Sequence, residues 1–533
     1  MKKIFTLLSV MLFTGFFFNS CKNPTDDIEV LFDASVINYK ASIMVVGSTG
    51  ETLPTSLTVT LTGADKDYIY DFSGDKTPYA PGGIITLGVH YKHEPTAAKS
   101  VNFNVVLKAT GYEDANIPMS IVNGQLTQLK KVVLQKTGNS TTAATYVSAT
   151  TTLTGNATTA VIPLTTATNA NVPTVTSISI PAGTEFKTAT GAALTGTALT
   201  SQIFNYDTTD PEALKLFPGG ELSASSVILP GTTVAAPAFF LPAGFASIKM
   251  FVGSTEVKSF TKDISVSIEL DPNYKSFTGA ALTAGTVIPI YSYDVASGQF
   301  KYEKDGTVTA NGNKLVVTFT TNHLTVYTVG YVSPTSTCKD VNINVSAAWL
   351  KDASRPVKVK LYTTSNVLLG STDMVVSNGF QATVRGLPNI PLKYTILDIA
   401  NDAILAFGDL ASPCSGPTVN VTLTEPTVAF ENITLKLNVK CPGKGTILIP
   451  NFDIYYKIAG SSALNYSILG TASDGLLKTT LLTKGTAYDF KAVWGNSAKQ
   501  VLKRTITEQD NSASVGDGAL SPEDNGLLIQ ACK

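Results

Sequence analysis

The chain is poor in the residue types that carry most enzyme chemistry. Its 533 residues include only three histidines, His90, His93 and His323, and charged residues make up just 15% of the total. There is no HExxH, GxSxG, Walker loop, GxGxxG or EF-hand calcium loop, so the common zinc, serine-hydrolase, nucleotide and calcium signatures are missing. His90 and His93 lie in GVHYKHEP, where i, i+3 spacing on a strand sends the rings to opposite faces. That spacing argues against a metal pair, and neither a metal nor a cofactor is expected. Lysine plus arginine (39) nearly balances aspartate plus glutamate (40), so no basic face for nucleic acid is expected either. The paired carboxylates of glycoside hydrolases sit far apart in a chain and leave no local pattern. Short β-modules in series rarely build a deep cleft, which ranks binding above catalysis.

Long apolar runs are equally scarce. The run Ile4 to Phe18, behind Lys2 and Lys3, falls short of the roughly 20 residues a resident membrane helix needs. With Ser20 and Cys21 following, residues 1–20 read as a signal peptide. Residues 21–27 then read as a polar tether. The whole segment resembles a bacterial lipoprotein signal, cut just before a cysteine that is then acylated. That resemblance implies Cys21 as the lipid-attachment residue and the membrane as a partner. Asp26 and Asp27 resemble the signal that carries Bacteroidetes lipoproteins to the outer face of the outer membrane, implying an outward-facing location.

With Cys21 as anchor, Cys338, Cys414, Cys441 and Cys532 remain. No two are close enough to begin a zinc site, and four cysteines allow three pairings. Spacing favours Cys338 with Cys414 and Cys441 with Cys532, because each pair brackets one strand-rich segment. Each bridge would close a long loop, contributing about 4 to 5 kcal/mol on the chain-entropy model.

What the chain has in abundance is β-alternation punctuated by turns, and helical periodicity is absent from its first domain. The expected class is all-β, with about four tandem β-sandwich, immunoglobulin-like domains. The first covers 28–136, with Leu57, Val59 and Leu61 on one strand face and Val101, Phe103, Val105 and Leu107 on another. Its loop DKDYIYDFSGDKTPYAPGG alternates aromatics with acids. Aromatic faces stack on sugar rings and carboxylates accept sugar hydroxyls, which makes Tyr68, Tyr70, Asp71, Asp75 and Tyr79 candidate ligand-binding residues. The bland alternative is a long loop packing its own aromatics.

A linker at 137–144 leads to a large second sandwich, 145–334. In KLVVTFTTNHLTVYTVGY the apolar parity changes after Phe319, which calls for a bulge or sharp bend near Asn322 and His323. The third domain, 337–425, sets Val341, Ile343, Val345, Ala347 and Trp349 on one face, with Asn378-Gly379 as a hairpin turn. The fourth spans 426–533.

Family resemblances refine this outline. ISIPAGTEF and NHLTVY resemble the ends of the β-sandwich domains of axon-guidance receptors and ankyrins. The NHLTVY end is also similar to the autoproteolysis motif of adhesion receptors and polycystins, which implies His323, Leu324 and Thr325 as candidate self-cleavage residues. On one strand His323 and Thr325 would share a face about 7 Å apart. The third domain resembles prealbumin-like modules. LTKGTAYDFKAVW resembles fibronectin type III, with Tyr488 as the corner tyrosine.

Three functional readings follow. The first is a lipid-anchored, non-catalytic surface protein that binds a glycan or protein or acts as an adhesive spacer. The second is a glycan-capturing lipoprotein of a nutrient-uptake system. The third is a sandwich that cleaves itself at Leu324-Thr325.

Overall fold

The computed structural model describes residues 37–514, apart from 52, 55, 73–74, 352, 427–432, 442–444, 449–451, 473–475, 495–496 and 509. Cys21, the signal segment, the tether, Cys532 and the side chain of Cys441 lie outside the described residues. The described chain is an all-β succession of packed sheets.

Three of its sandwiches share one wiring. In the first, the opening strand Lys40–Gly47 pairs antiparallel with Ile84–Val89 and parallel with the closing strand Thr127–Leu134. Thr58–Thr62, Val101–Lys108 and Ala115–Ile121 form the facing sheet. Strand alternation buries Val101, Phe103, Val105 and Leu107 between the sheets, with Leu57, Val59 and Leu61 packed against them.

The third sandwich repeats the pattern. Val341–Ser346 lies between antiparallel Gln381–Val384 and parallel Thr418–Thr422. The facing sheet runs Leu368–Val376, Arg355–Thr363, Leu392–Asp398, Ile404–Leu410. In the fourth, Ile433–Cys441 pairs antiparallel with Leu476–Thr479 and parallel with the last described strand, Asp510–Ser514. The described part of the fourth sandwich thus ends on a parallel strand, as the third sandwich does. Its Tyr488 is buried, and the hydroxyl accepts a hydrogen bond from the Thr483 N–H at 3.0 Å, the tie a tyrosine corner requires.

The second sandwich is a single 13-stranded hydrogen-bonded network. Gln299–Asn311 pairs with Val287–Asp294 along most of its length and with Lys314–His323 at its end, so one strand serves both layers. The long strand Ala236–Val252 carries Pro242 in its middle, a position a central strand tolerates only at a bulge. The register against Val326–Pro334 shifts between Pro242 and Gly244, and Gly330 opposite leaves no room for a side chain against Leu241 and Pro242. Phe217, Phe240 and Phe300 fill the core, with the Phe240 and Phe300 rings 4.4 Å apart.

Two local expectations are corrected in the third sandwich. Its first strand stops at Ser346, and Trp349 sits on a 3₁₀ turn, Ala348–Leu350, rather than extending the strand face. There the Trp349 indole N–H donates to the Leu423 carbonyl at 3.0 Å, while the ring packs against the core. Asn378-Gly379 is a turn, but the strands on either side belong to different sheets, so it makes a corner and not a hairpin. Cys338 and Cys414 are joined in a disulfide across a separation of 76 residues.

The sandwiches are not strung in series. Met44, Val46, Ile84 and Val133 of the first form one buried cluster with Tyr455, Tyr466, Ile468 and Val493 of the fourth. Ser42 donates to Asp453 across this junction, and Lys491 reaches the Gly82 carbonyl at 3.1 Å. The first also meets the second, where Glu113 accepts from Ser247 at 2.9 Å and pairs with Lys249 at 3.1 Å. Val341, Leu369, Leu392 and Leu410 join the third to the core of the second. A cavity of about 90 Å³ marks the point where all four meet, lined by Met44, Lys131, Glu221, Asp373 and Tyr455. Burial, reinforced by Lys215, holds the Lys131 amine below its ordinary value.

Between third and fourth, the lock is polar. Arg355, 4% exposed, donates to the Thr480 carbonyl at 3.0 Å and pairs with the fully buried Asp398 at 2.5 Å. A buried carboxylate that loses its cation costs far more than the intact pair contributes. Arg355→Ala is therefore expected to destabilise the third and fourth sandwiches by about 3 to 5 kcal/mol, and adding Asp398→Ala to recover part of that loss. Denaturant unfolding of the two variants measures both effects, and equal destabilisation by the single and double variants would contradict the assignment.

Candidate functional site

The aromatic loop of the first sandwich becomes a platform only because a second segment joins it. Lys66–Tyr68 is a 3₁₀ turn leading into the edge strand Ile69–Asp71, and Tyr91–His93 is another 3₁₀ turn directly after Ile84–Val89. Tyr68 stacks on His93 with ring centroids 3.7 Å apart and 11° between planes. Tyr70 lies 5.5 Å from His90, and Lys76 sits over the Tyr70 ring. His90 and His93 are 5.8 Å apart on one side, because residues three apart eclipse on a 3₁₀ turn where they would alternate on a strand. This overturns the opposite-face placement, which rested on extending the strand beyond Val89. The His90 ring accepts from the Lys92 N–H at 3.2 Å, fixing its orientation.

The members differ in what they offer a ligand. Tyr91 is 53% exposed and Tyr79 46%, and His93 is exposed as well. Asp75 is exposed, its carboxylate accepting from the Thr77 N–H at 2.9 Å. Asp71 is buried and its carboxylate accepts from the Asp75 N–H at 2.9 Å, so it shapes the loop and presents nothing to solvent. Tyr91, His90 and His93 were not among the sequence candidates. The aromatic-histidine density of VHYKH was the available signal, obscured by reading it as strand.

The third sandwich contains a cavity of about 240 Å³ between its sheets. Its walls are the inward positions Ile343, Val345, Val357, Val359, Met374 and Ile396, and the second sandwich closes one end with Pro211, Leu214 and Phe239. Facing sheets stand about 10 Å apart, and valine opposite valine does not fill that gap. The first sandwich fills its own with Phe103, Leu107, Leu87 and Met119.

No family model matches the chain, and no curated protein matches it. Among solved structures, a leucine-rich repeat protein from Bacteroides thetaiotaomicron aligns at 16% identity over 34% of this chain, with a TM-score of 0.13. The chain spans only 26% of that protein's length. The shaft pilin SpaA from Lactobacillus rhamnosus GG aligns over its full length at 10% identity, covering 35% of this chain, TM-score 0.16. The Bacillus anthracis TIE protein aligns at 8% identity over 71% of this chain and 76% of its own, TM-score 0.15. Superposition this weak carries no argument, and the fold assignment rests on the strand pairing described above. Among the described residues, no group of three or more histidine, cysteine or acidic side chains is placed to hold a metal.

The bend near Asn322 and His323 is a passage between sheets. Lys314–His323 pairs with Ser259–Glu269, whereas Val326–Pro334 pairs with Ala236–Val252 in the other layer. His323 and Thr325 therefore do not share one strand face. The Thr325 hydroxyl donates to the Tyr293 carbonyl, and Leu324 is buried. His323 Nδ1 lies 3.2 Å from the Thr321 hydroxyl, its Nε2 faces Glu303 at 3.6 Å, and its carbonyl accepts from the Tyr327 hydroxyl at 2.7 Å. Burial lowers the His323 pKa, opposed by the Glu303 carboxylate.

A general base must reach the proton it removes, and here each partner of the candidate reaction is engaged elsewhere. The chain is expected to stay intact. Denaturing electrophoresis should show one full-length band, whereas cleavage at Leu324-Thr325 would give fragments of about 34 and 22 kDa.

Proposed function

We propose that this chain is a lipid-anchored, non-catalytic cell-surface binding protein whose first sandwich takes a glycan on the aromatic-histidine platform. One observation carries the reading: Tyr68 stacked on His93 and Tyr70 beside His90, with Tyr91, His93 and Tyr79 open to solvent. Sugar rings present C–H faces that pack on aromatic planes, and their hydroxyls donate to exposed carboxylates such as Asp75. Paired aromatic and imidazole rings with ordered orientation lose little entropy on binding.

Packing of the fourth sandwich on the first supports a compact binding head over an extended spacer, because the folded-back chain gives up the reach of four modules in line. Cys21, acylated and followed by the tether 21–27, would hold this head at the outer membrane, facing outward. A glycan-capturing role beside a nutrient transporter is the form of this function that the platform favours. Prealbumin-like is the module type we assign to the third sandwich, and fibronectin type III-like to the fourth, whose Tyr488 hydroxyl makes the corner bond to the Thr483 N–H.

Glycan-array screening of the purified protein, followed by titration of the best ligand, tests the platform. Tyr91→Ala with His93→Ala is expected to weaken binding roughly tenfold or more with unchanged circular dichroism. Undiminished affinity in that double variant would remove the platform from the function. The anchor has its own test: wild-type protein should partition into detergent, and Cys21→Ser should abolish that partition. A mature wild-type protein found wholly in the aqueous phase would refute it.

A further inference from the structure

We propose that the cavity between the sheets of the third sandwich is a binding site for a small, uncharged, predominantly apolar molecule, aliphatic or aromatic. Its size sets the scale of the ligand. An apolar cavity of about 150 Å³ takes up benzene, so the 240 Å³ here corresponds to a molecule of about ten non-hydrogen atoms.

The chemistry of the walls favours an apolar occupant. A buried water needs two to four polar partners; Ser223, Ser371, Thr372 and Tyr394 are among the lining residues, but Ile343, Val345, Val357, Val359 and Ile396 present only hydrocarbon between the sheets. Charged groups occur among the lining residues, but each already has a counter-ion within the protein. Lys215 pairs with Glu212 at 2.8 Å, Glu221 with Lys130 at 3.0 Å, and Arg385 with Asp340 at 2.8 Å. None requires an ionic group from the ligand, which is why the site favours a neutral one.

The inward side chains also keep the surface a ligand would cover. Ile343, Val359, Met374 and Tyr394 are only partly buried although they face the opposite sheet. Leu214 and Phe239, which close one end, belong to the second sandwich. A ligand there touches side chains of both the second and the third sandwich, so occupancy favours their docked state. Ligand sites occur preferentially at such domain junctions.

Naphthalene, with ten carbon atoms, and octan-1-ol are suitable probes. The full-length protein is expected to bind naphthalene saturably, read from naphthalene fluorescence, to release it to octan-1-ol, and to melt at higher temperature when either is present. Val359→Phe and Ile343→Phe each place a ring in the void. Either is expected to weaken naphthalene binding roughly tenfold or more while the melting temperature of the free protein holds or rises. Two positions are used so that one failed fold leaves the other to decide. Absence of saturable binding to the wild-type protein, or undiminished binding in a natively folded filled variant, would overturn the proposal.

Discussion

The architecture depends on two central strands of one sheet that have no solvent face. In Lys40–Gly47, every residue after the first is buried, and Ile84–Val89 is buried throughout. Ala41, Ile43 and Val45 point into the first sandwich, while Met44 and Val46 point out of it toward Tyr455, Tyr466 and Ile468 of the fourth. A strand apolar on both faces must be covered on both, and the C-terminal sandwich supplies the second cover. That closure turns a succession of modules into one assembly and brings Lys131, Glu221, Asp373 and Tyr455, from four sandwiches, around one small cavity.

The junctions mix apolar and polar contacts in different proportion. First and fourth meet through the hydrocarbon and aromatic cluster around Met44 and Tyr455, whose contribution grows with area, with the Ser42–Asp453 and Lys491–Gly82 hydrogen bonds beside it. Third and fourth meet through Arg355, Asp398 and Thr480, whose buried charges demand one arrangement.

Strand alternation was legible wherever one face is wet. Leu57, Val59 and Leu61, like Val101 through Leu107, occupy the interior positions their spacing implied. The Cys338–Cys414 bridge could be inferred because strand-rich sequence lies between the two residues. Less legible were the places where local rules change within a few residues. The strand ending at Val89 becomes a 3₁₀ turn, which reverses the relative placement of His90 and His93. The strand ending at His323 hands the chain to the opposite sheet, which leaves Thr325 off that strand with its hydroxyl on the Tyr293 carbonyl. The valines of the third sandwich read as ordinary core, and only their opposition across two sheets leaves a void.

Composition and period-two alternation were enough to assign an all-β chain of sandwiches, because burial of one strand face is a local demand that each segment meets in its own pattern. The unbroken apolar runs Ile43 to Val46 and Ile84-Ile85 carried a further signal, that those strands are covered twice. Nothing local could say what covers them. That partner lies some four hundred residues away, and its choice follows from the summed fit of surfaces belonging to separate sandwiches. The same holds for the cavity, which exists only once two sheets have packed, whereas the platform needs only the pairing of Ile69–Asp71 with Ile84–Val89.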